Sequence, residues 1–158
     1  MRQLIVFTGL ISICFAAQAA DWKLYVNDRF GFSVHVPASF KSSAPPENND
    51  GLNFVSKDQT AEIRAYGYYI QSKNLTEDAR EQEKLNSGLN ITYRQVTSNA
   101  FTLSGLAGSR IVYIHAVKTC KGDAAAILRA EYPQSDKVQF DPLIAHMSKT
   151  FRGSNDCI

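Results

Sequence analysis

The sequence predicts a single α+β domain built on a central antiparallel sheet of about six or seven strands, with helices covering it. Three observations lead there. Apolar residues alternate with polar ones at period two over several short segments, the pattern of half-buried strands. Two other segments, one in mid-chain and one near the end, carry helix signals instead. Short turns join the strand segments, and no internal repeat, low-complexity tract or linker divides the chain.

Trp22 to Val26 forms the first strand and Asn27-Asp28 turns the chain. Phe30, Phe32, Val34 and Val36 then alternate with Gly31, Ser33 and His35. Pro37 ends the run because it has no amide to give to a ladder. Gly31 is expected to admit another backbone or a large side chain at close range. Lys41 to Gly51, KSSAPPENNDG, reads as an exposed and mobile surface loop. Leu52 to Ser56 and Ala61 to Ile70 are strands around a KDQT turn. In the second, Ala61, Ile63, Ala65, Gly67 and Tyr69 share one face, and Glu62, Arg64, Tyr66 and Tyr68 the other.

Asn74 is placed to cap a helix that runs to about Asn86, with Glu77 at the reciprocal position and acidic residues in the first turn. Its apolar stripe, Leu75, Ala79 and Leu85, is narrow, so the helix lies on the surface. Ile91 to Thr97 and Phe101 to Leu106 are strands. Ser109 to Lys118 and Ala124 to Tyr132 form a hairpin around CKGD, with Gly122 at the bend. The closing helix opens at Asp136, or at Asp141 with Pro142 in its first position. Leu143, Ile144, Met147 and Phe151 recur at helical spacing and face the sheet.

The N-terminus, MRQLIVFTGLISICFAAQAA, reads as a secretory signal. Arg2 starts it, an apolar run of about a dozen residues follows, and Ala17-Gln18-Ala19 supplies the small-x-small cleavage site. The run is shorter than the roughly 20 residues of a membrane anchor. Ile13 before Cys14 argues against a lipoprotein site. Cleavage after Ala19 leaves residues 20–158 as one globular domain, expected in the periplasm or outside the cell.

Removing Arg2 takes the formal charge of +2 down by one. That near balance gives no basic footprint for nucleic acid and no polybasic patch for acidic lipid. After export, Cys120 and Cys157 are the cysteines left, and an oxidising compartment favours a disulfide between them. Free redox or metal thiols are the rival reading, but CxxC spacing and nearby histidine ligands are missing.

Three stretches carry a family likeness. RFGFSVHVP early, GLNFVS in mid-chain, and EYP followed by a helix ending in KTF resemble small exported PsbP-like proteins. The family includes the extrinsic protein P of photosystem II and bacterial envelope relatives. The resemblance spans nearly the whole mature chain and implies an α/β/α sandwich, with Gly31-Phe32 to Val36-Pro37 opening the central sheet and helices on both faces. It also implies action by docking onto other proteins. It carries no catalytic or binding motif across to particular residues.

Little in the chain calls for catalysis. His35 and His115 lie in strands and would need to converge with a third ligand, Glu62 being the best placed, to hold a metal. No HExxH or HxH motif supports this, and His146 has no partner at helical spacing. Structural or surface histidines are the simpler reading, and no metal or cofactor is expected. Ser104-Gly105 and Gly108-Ser109 sit in TLSGLAGSR, which lacks the GxSxG elbow and joins strands. Glu77, Asp78, Glu81 and Glu83 are explained by a solvated helix face with Arg80 and Lys84.

Two features point to a contact surface. Arg64, Tyr66 and Tyr68 project from one strand face, and tyrosine and arginine are enriched at interface hot spots. A helix laid over that face would instead make the tyrosines rims of the core. The loop residues Pro45, Pro46 and Asn48 are the second candidate. The reading best supported is a non-catalytic periplasmic protein that binds a protein partner. It would serve as an accessory subunit, or as an inhibitor or immunity-type protein against an envelope-acting enzyme. The alternatives are a module for a small apolar or cell-wall ligand, which needs an enclosed pocket, and a hydrolase, which needs convergent polar side chains.

Overall fold

The computed structural model describes residues 20–157, so the expected signal segment, residues 1–19, lies outside the described residues. In chain order the elements are β1 (Trp22–Asn27), β2 (Phe32–Pro37), β3 (Lys41–Ser42), β4 (Gly51–Val55), β5 (Glu62–Tyr69), α1 (Leu75–Leu85), β6 (Asn90–Val96), β7 (Ala100–Ala107), β8 (Arg110–Thr119), β9 (Ala124–Pro133), α2 (Lys137–Thr150) and β10 (Arg152–Gly153). Seven strands form the main sheet in the order β3-β4-β5-β9-β8-β7-β6, with every pairing antiparallel.

The opening hairpin departs from expectation. β1 and β2 do not open the central sheet; they form a separate three-stranded sheet with β10. The physical reason is a division of apolar faces. Phe32, Val34 and Val36 of β2 are buried and pack onto Ile63, Ala65, Leu128 and Ala130 of the main sheet. That packing needs β2 face to face with the sheet, as a second layer, and not edge to edge within it. α2 lies beside it and adds Phe140 and Met147 to the same core, with Phe140 stacked on Tyr132 at 4.2 Å between ring centroids. α1 covers part of the opposite face, where Leu75 and Ala79 meet Phe101, Leu103, Ile114 and Ile127. The main sheet thus has a helix on each face.

The capping expectation for α1 is met: Asn74 accepts from the Glu77 amide at 3.0 Å. Leu85, however, is 76% exposed and does not belong to the buried stripe. The helix ends there, and its apolar contact is made by its first turns. Of the two openings expected for α2 the earlier one holds: the helix begins at Lys137 with Asp136 in the N-cap position, and Pro142 lies inside it. An early start brings Phe140 to the core. The carbonyl that Pro142 leaves without a donor, four residues earlier, belongs to Val138, which is 87% exposed and open to water.

Cys120 and Cys157 are joined, with Cα atoms 5.4 Å apart. The tail they fix crosses Gly31, whose φ is +56°. A Cβ at Gly31 would stand 2.6 Å from the Asp156 carbonyl oxygen and 2.8 Å from Cys157 Sγ. Gly31 therefore admits a backbone and a disulfide at close range in a conformation that favours glycine.

Candidate functional site

β5 is the strand from which the site is built. Its buried face carries Ile63, Ala65 and Gly67, while Tyr69 at its end is 53% exposed. The opposite face presents Arg64, Tyr66 and Tyr68, and the three do not behave alike. Tyr66 and Tyr68 are half-buried against the α1 core, so a helix does cover part of this face. The Tyr68 hydroxyl donates to the carboxylate of the buried Asp78 in the first turn of α1. Tyr68 is thereby a strut between sheet and helix. Arg64 stays exposed and pairs with Glu62 at 2.7 Å.

Burial pushes the Asp78 carboxyl above its usual range; the Tyr68 hydrogen bond opposes this and the Glu81 charge adds to it. A carboxyl raised by folding contributes stability that is fully present below its unfolded value and lost as pH rises through the folded one. Asp78→Asn keeps an oxygen to accept from Tyr68 but cannot ionise. The variant is expected to gain stability relative to wild type between about pH 3 and pH 7. Thermal unfolding at the two pH values checks this, and an equal difference at both would refute it.

The loop expected between Lys41 and Gly51 is shorter than its sequence indicated, because Lys41 and Ser42 form β3 against β4. It is also tied down. Arg29 pairs with Asp50 at 2.7 Å and donates to the Asn48 carbonyl, and the Asn27 amide donates to the Asn49 carbonyl at 2.9 Å. Pro45, Pro46 and Asn48 remain exposed. The loop runs alongside β5, where Gly67 N–H donates to the Asp50 carbonyl at 2.8 Å, and Pro46, Asp50, Leu52, Asn53, Arg64 and Tyr66 line one surface groove. Two features separate in sequence are brought together in this groove. Pro45, Asn48 and Tyr68 are not among the residues that line it.

A charged cluster next to Arg64 was missed from sequence. Arg129 and Glu131 of β9 and Arg110 of β8 flank Arg64 and Glu62 in a network. Arg110 donates to Glu131 at 2.8 Å, and Arg129 donates to Glu131 at 3.1 Å and to Asn86 at 2.8 Å. Burial alone would raise the Glu131 carboxyl, but hydrogen bonds from Arg110 and Arg129, together with their charge, outweigh it and hold the group below its usual range. The available signal was a pair of charges two residues apart inside AAAILRAEY, an otherwise apolar strand.

The histidines do not converge as the metal hypothesis required. His115 bonds Thr102 at 2.8 Å and the Phe101 carbonyl at 3.1 Å, and burial lowers its pKa. Glu62 is held by Arg64. His35 meets His146 instead, Nδ1 to Nε2 at 3.3 Å, and the indole of Trp22 stacks on His146 at 3.8 Å. Beside them the outer side of β1 exposes Leu24 and Val26.

No family model and no curated protein matches the chain. Among solved structures the chain is similar to the cyanobacterial PsbP (CyanoP) of Synechocystis. The TM-score is 0.63 and the identity 11%, over 90% of this chain and 98% of that one. It is also similar to the Ran-binding protein Mog1p of Saccharomyces cerevisiae, with TM-score 0.60 and 12% identity over 85% and 96% of the two chains. The fold is PsbP-like. At these identities the likeness is one of fold, and it agrees with the resemblance drawn from RFGFSVHVP, GLNFVS and EYP. Among the described residues, no helix is long and apolar enough to cross a membrane.

Proposed function

We propose that the chain is an exported, non-catalytic protein that acts in the periplasm by docking a protein partner in the groove of Pro46, Arg64 and Tyr66. It would do so as an accessory subunit, or as an inhibitor or immunity-type protein. The observation that carries the reading is the groove itself: an exposed proline loop and an arginine–tyrosine strand face, far apart in sequence, close on one concave surface. A solvent-facing guanidinium beside a half-buried tyrosine is the side-chain pairing that anchors protein interfaces. A neighbour in fold, Mog1p, is a Ran-binding protein, so the architecture supports protein docking elsewhere. The interior offers less to a small apolar ligand, since Phe30, Val34, Ile63, Met147 and Phe151 fill the space between the layers.

Site-directed photocrosslinking in intact envelopes tests the reading. A photoreactive residue at Asn53, in the groove, is expected to capture a defined protein adduct, whereas one at Leu24, on the outer side of β1, is not. Arg64→Glu should weaken capture roughly tenfold or more. Adducts confined to Leu24 would move the interface to the small sheet and overturn the assignment. The same preparation reports the mature N-terminus by mass spectrometry, expected at Ala20.

A further inference from the structure

The end of the main sheet that α1 leaves uncovered carries an unusual register. On that face β5 and β9 set Arg64 directly opposite Arg129, and on the adjacent rung Glu62 directly opposite Glu131. Like charges facing each other across a strand pair are destabilising. Exchanging the residues of one strand would give two Arg–Glu pairs with the same composition. The chain instead satisfies its charges along each strand, Arg64 with Glu62 at 2.7 Å and Arg129 with Glu131 at 3.1 Å. The consequence is segregation. Both glutamates lie on the rung nearer Arg110 and both arginines on the rung next to Tyr66, and of the four Arg64 lines the groove.

The two arginines are unequally committed. Arg129 donates to Asn86 and Glu131, and its side chain is 19% exposed. Arg64 is 46% exposed, and among the described residues Glu62 is the side-chain acceptor it meets. A guanidinium offers five donors in a planar fork that matches a carboxylate. We propose that Arg64 is the recognition point for an acidic side chain, Asp or Glu, on the protein that docks in the groove, with Arg129 adding positive charge from the neighbouring strand. An incoming carboxylate would meet the donors of the Arg64 fork that Glu62 leaves unused. Glu62 is the internal placeholder: it occupies the Arg64 fork until the partner's carboxylate replaces it. This inference deepens the docking reading given above and rests on it.

The test is selection of peptides from a random displayed library on the immobilised mature protein, followed by affinity measurement of the enriched peptides. Acidic residues are expected to dominate the enriched set. Arg64→Gln should weaken those peptides roughly tenfold or more, as loss of a charge-assisted fork implies, and Arg64→Lys should weaken them less. Glu62→Gln should tighten them, which a purely structural role for the pair would not produce. Unchanged unfolding midpoints in Arg64→Gln and Glu62→Gln would keep folding out of the comparison. Enriched peptides without acidic residues, still weakened by Tyr66→Ser, would overturn the acidic partner and leave the groove standing. Peptides indifferent to Arg64, Tyr66 and Pro46 substitutions would remove the groove as well. No enrichment would count against both.

Discussion

Replacing Cys120 and Cys157 together by alanine is expected to lower the unfolding free energy by roughly 3–4 kcal/mol, the value chain entropy assigns to a closed loop of this length. The two cysteines are 37 residues apart, and their loop contains β9 and α2, so the unfolded chain loses a large set of conformations when they are joined. For a domain of this size the unfolding midpoint should fall by about 10–20 °C. The bond also holds the tail onto β2 through local contacts. Cys120 N–H donates to the Ser154 carbonyl at 2.9 Å, and Ser154 N–H donates to the Gly31 carbonyl at 2.6 Å. Gly31→Ala should therefore be costly in the oxidised protein and cheaper in the alanine pair, where the tail can retreat from the new methyl group. Calorimetry of the four proteins gives the coupling directly. A midpoint unchanged by loss of both cysteines would show that the tail contributes nothing to the fold.

The second large effect is expected at Gly67. It sits on the buried face of β5, and the ring of Phe30 lies against its Cα: a Cβ there would come within 2.1 Å of Phe30 Cγ. Phe30 is 2% exposed and has no room to withdraw. Gly67→Val should destabilise by about 3 kcal/mol or more through overpacking, with Gly67→Ala less damaging. Shrinking the opposing ring should return part of the loss, so the double variant Phe30→Leu/Gly67→Val is expected to be more stable than Gly67→Val alone. Denaturant titration measures all of these. Equal stability of Gly67→Val and wild type would mean that the ring does not pack on the strand.

The sequence was most legible where the controlling physics is short-ranged. Alternation marked the buried faces of β2 and β5, because successive strand residues point to opposite sides whatever the rest of the chain does. Asn74 marked the start of α1, because a cap is made within one helical turn. Helix ends were less legible. Local preference left α2 two openings, Asp136 and Asp141 before Pro142, and burial of Phe140 against Tyr132 goes with the earlier one. Leu85 looked like part of a stripe, but an apolar residue is buried only when a second surface reaches it.

Composition and local pattern alone were enough to determine an α+β domain, its longer strands and its helices, a disulfide between Cys120 and Cys157, and a short list of surface residues. Tertiary structure decided that β1 and β2 form a separate layer and that the loop around Pro46 closes on Arg64 and Tyr66. It also decided that Arg129 stands across from Arg64, and that Tyr68 supports a helix where Tyr66 lines a groove. The reason is the range of the forces involved. Periodicity and capping act over a few residues, whereas strand register and layer assignment depend on which apolar faces, distant in sequence, find each other.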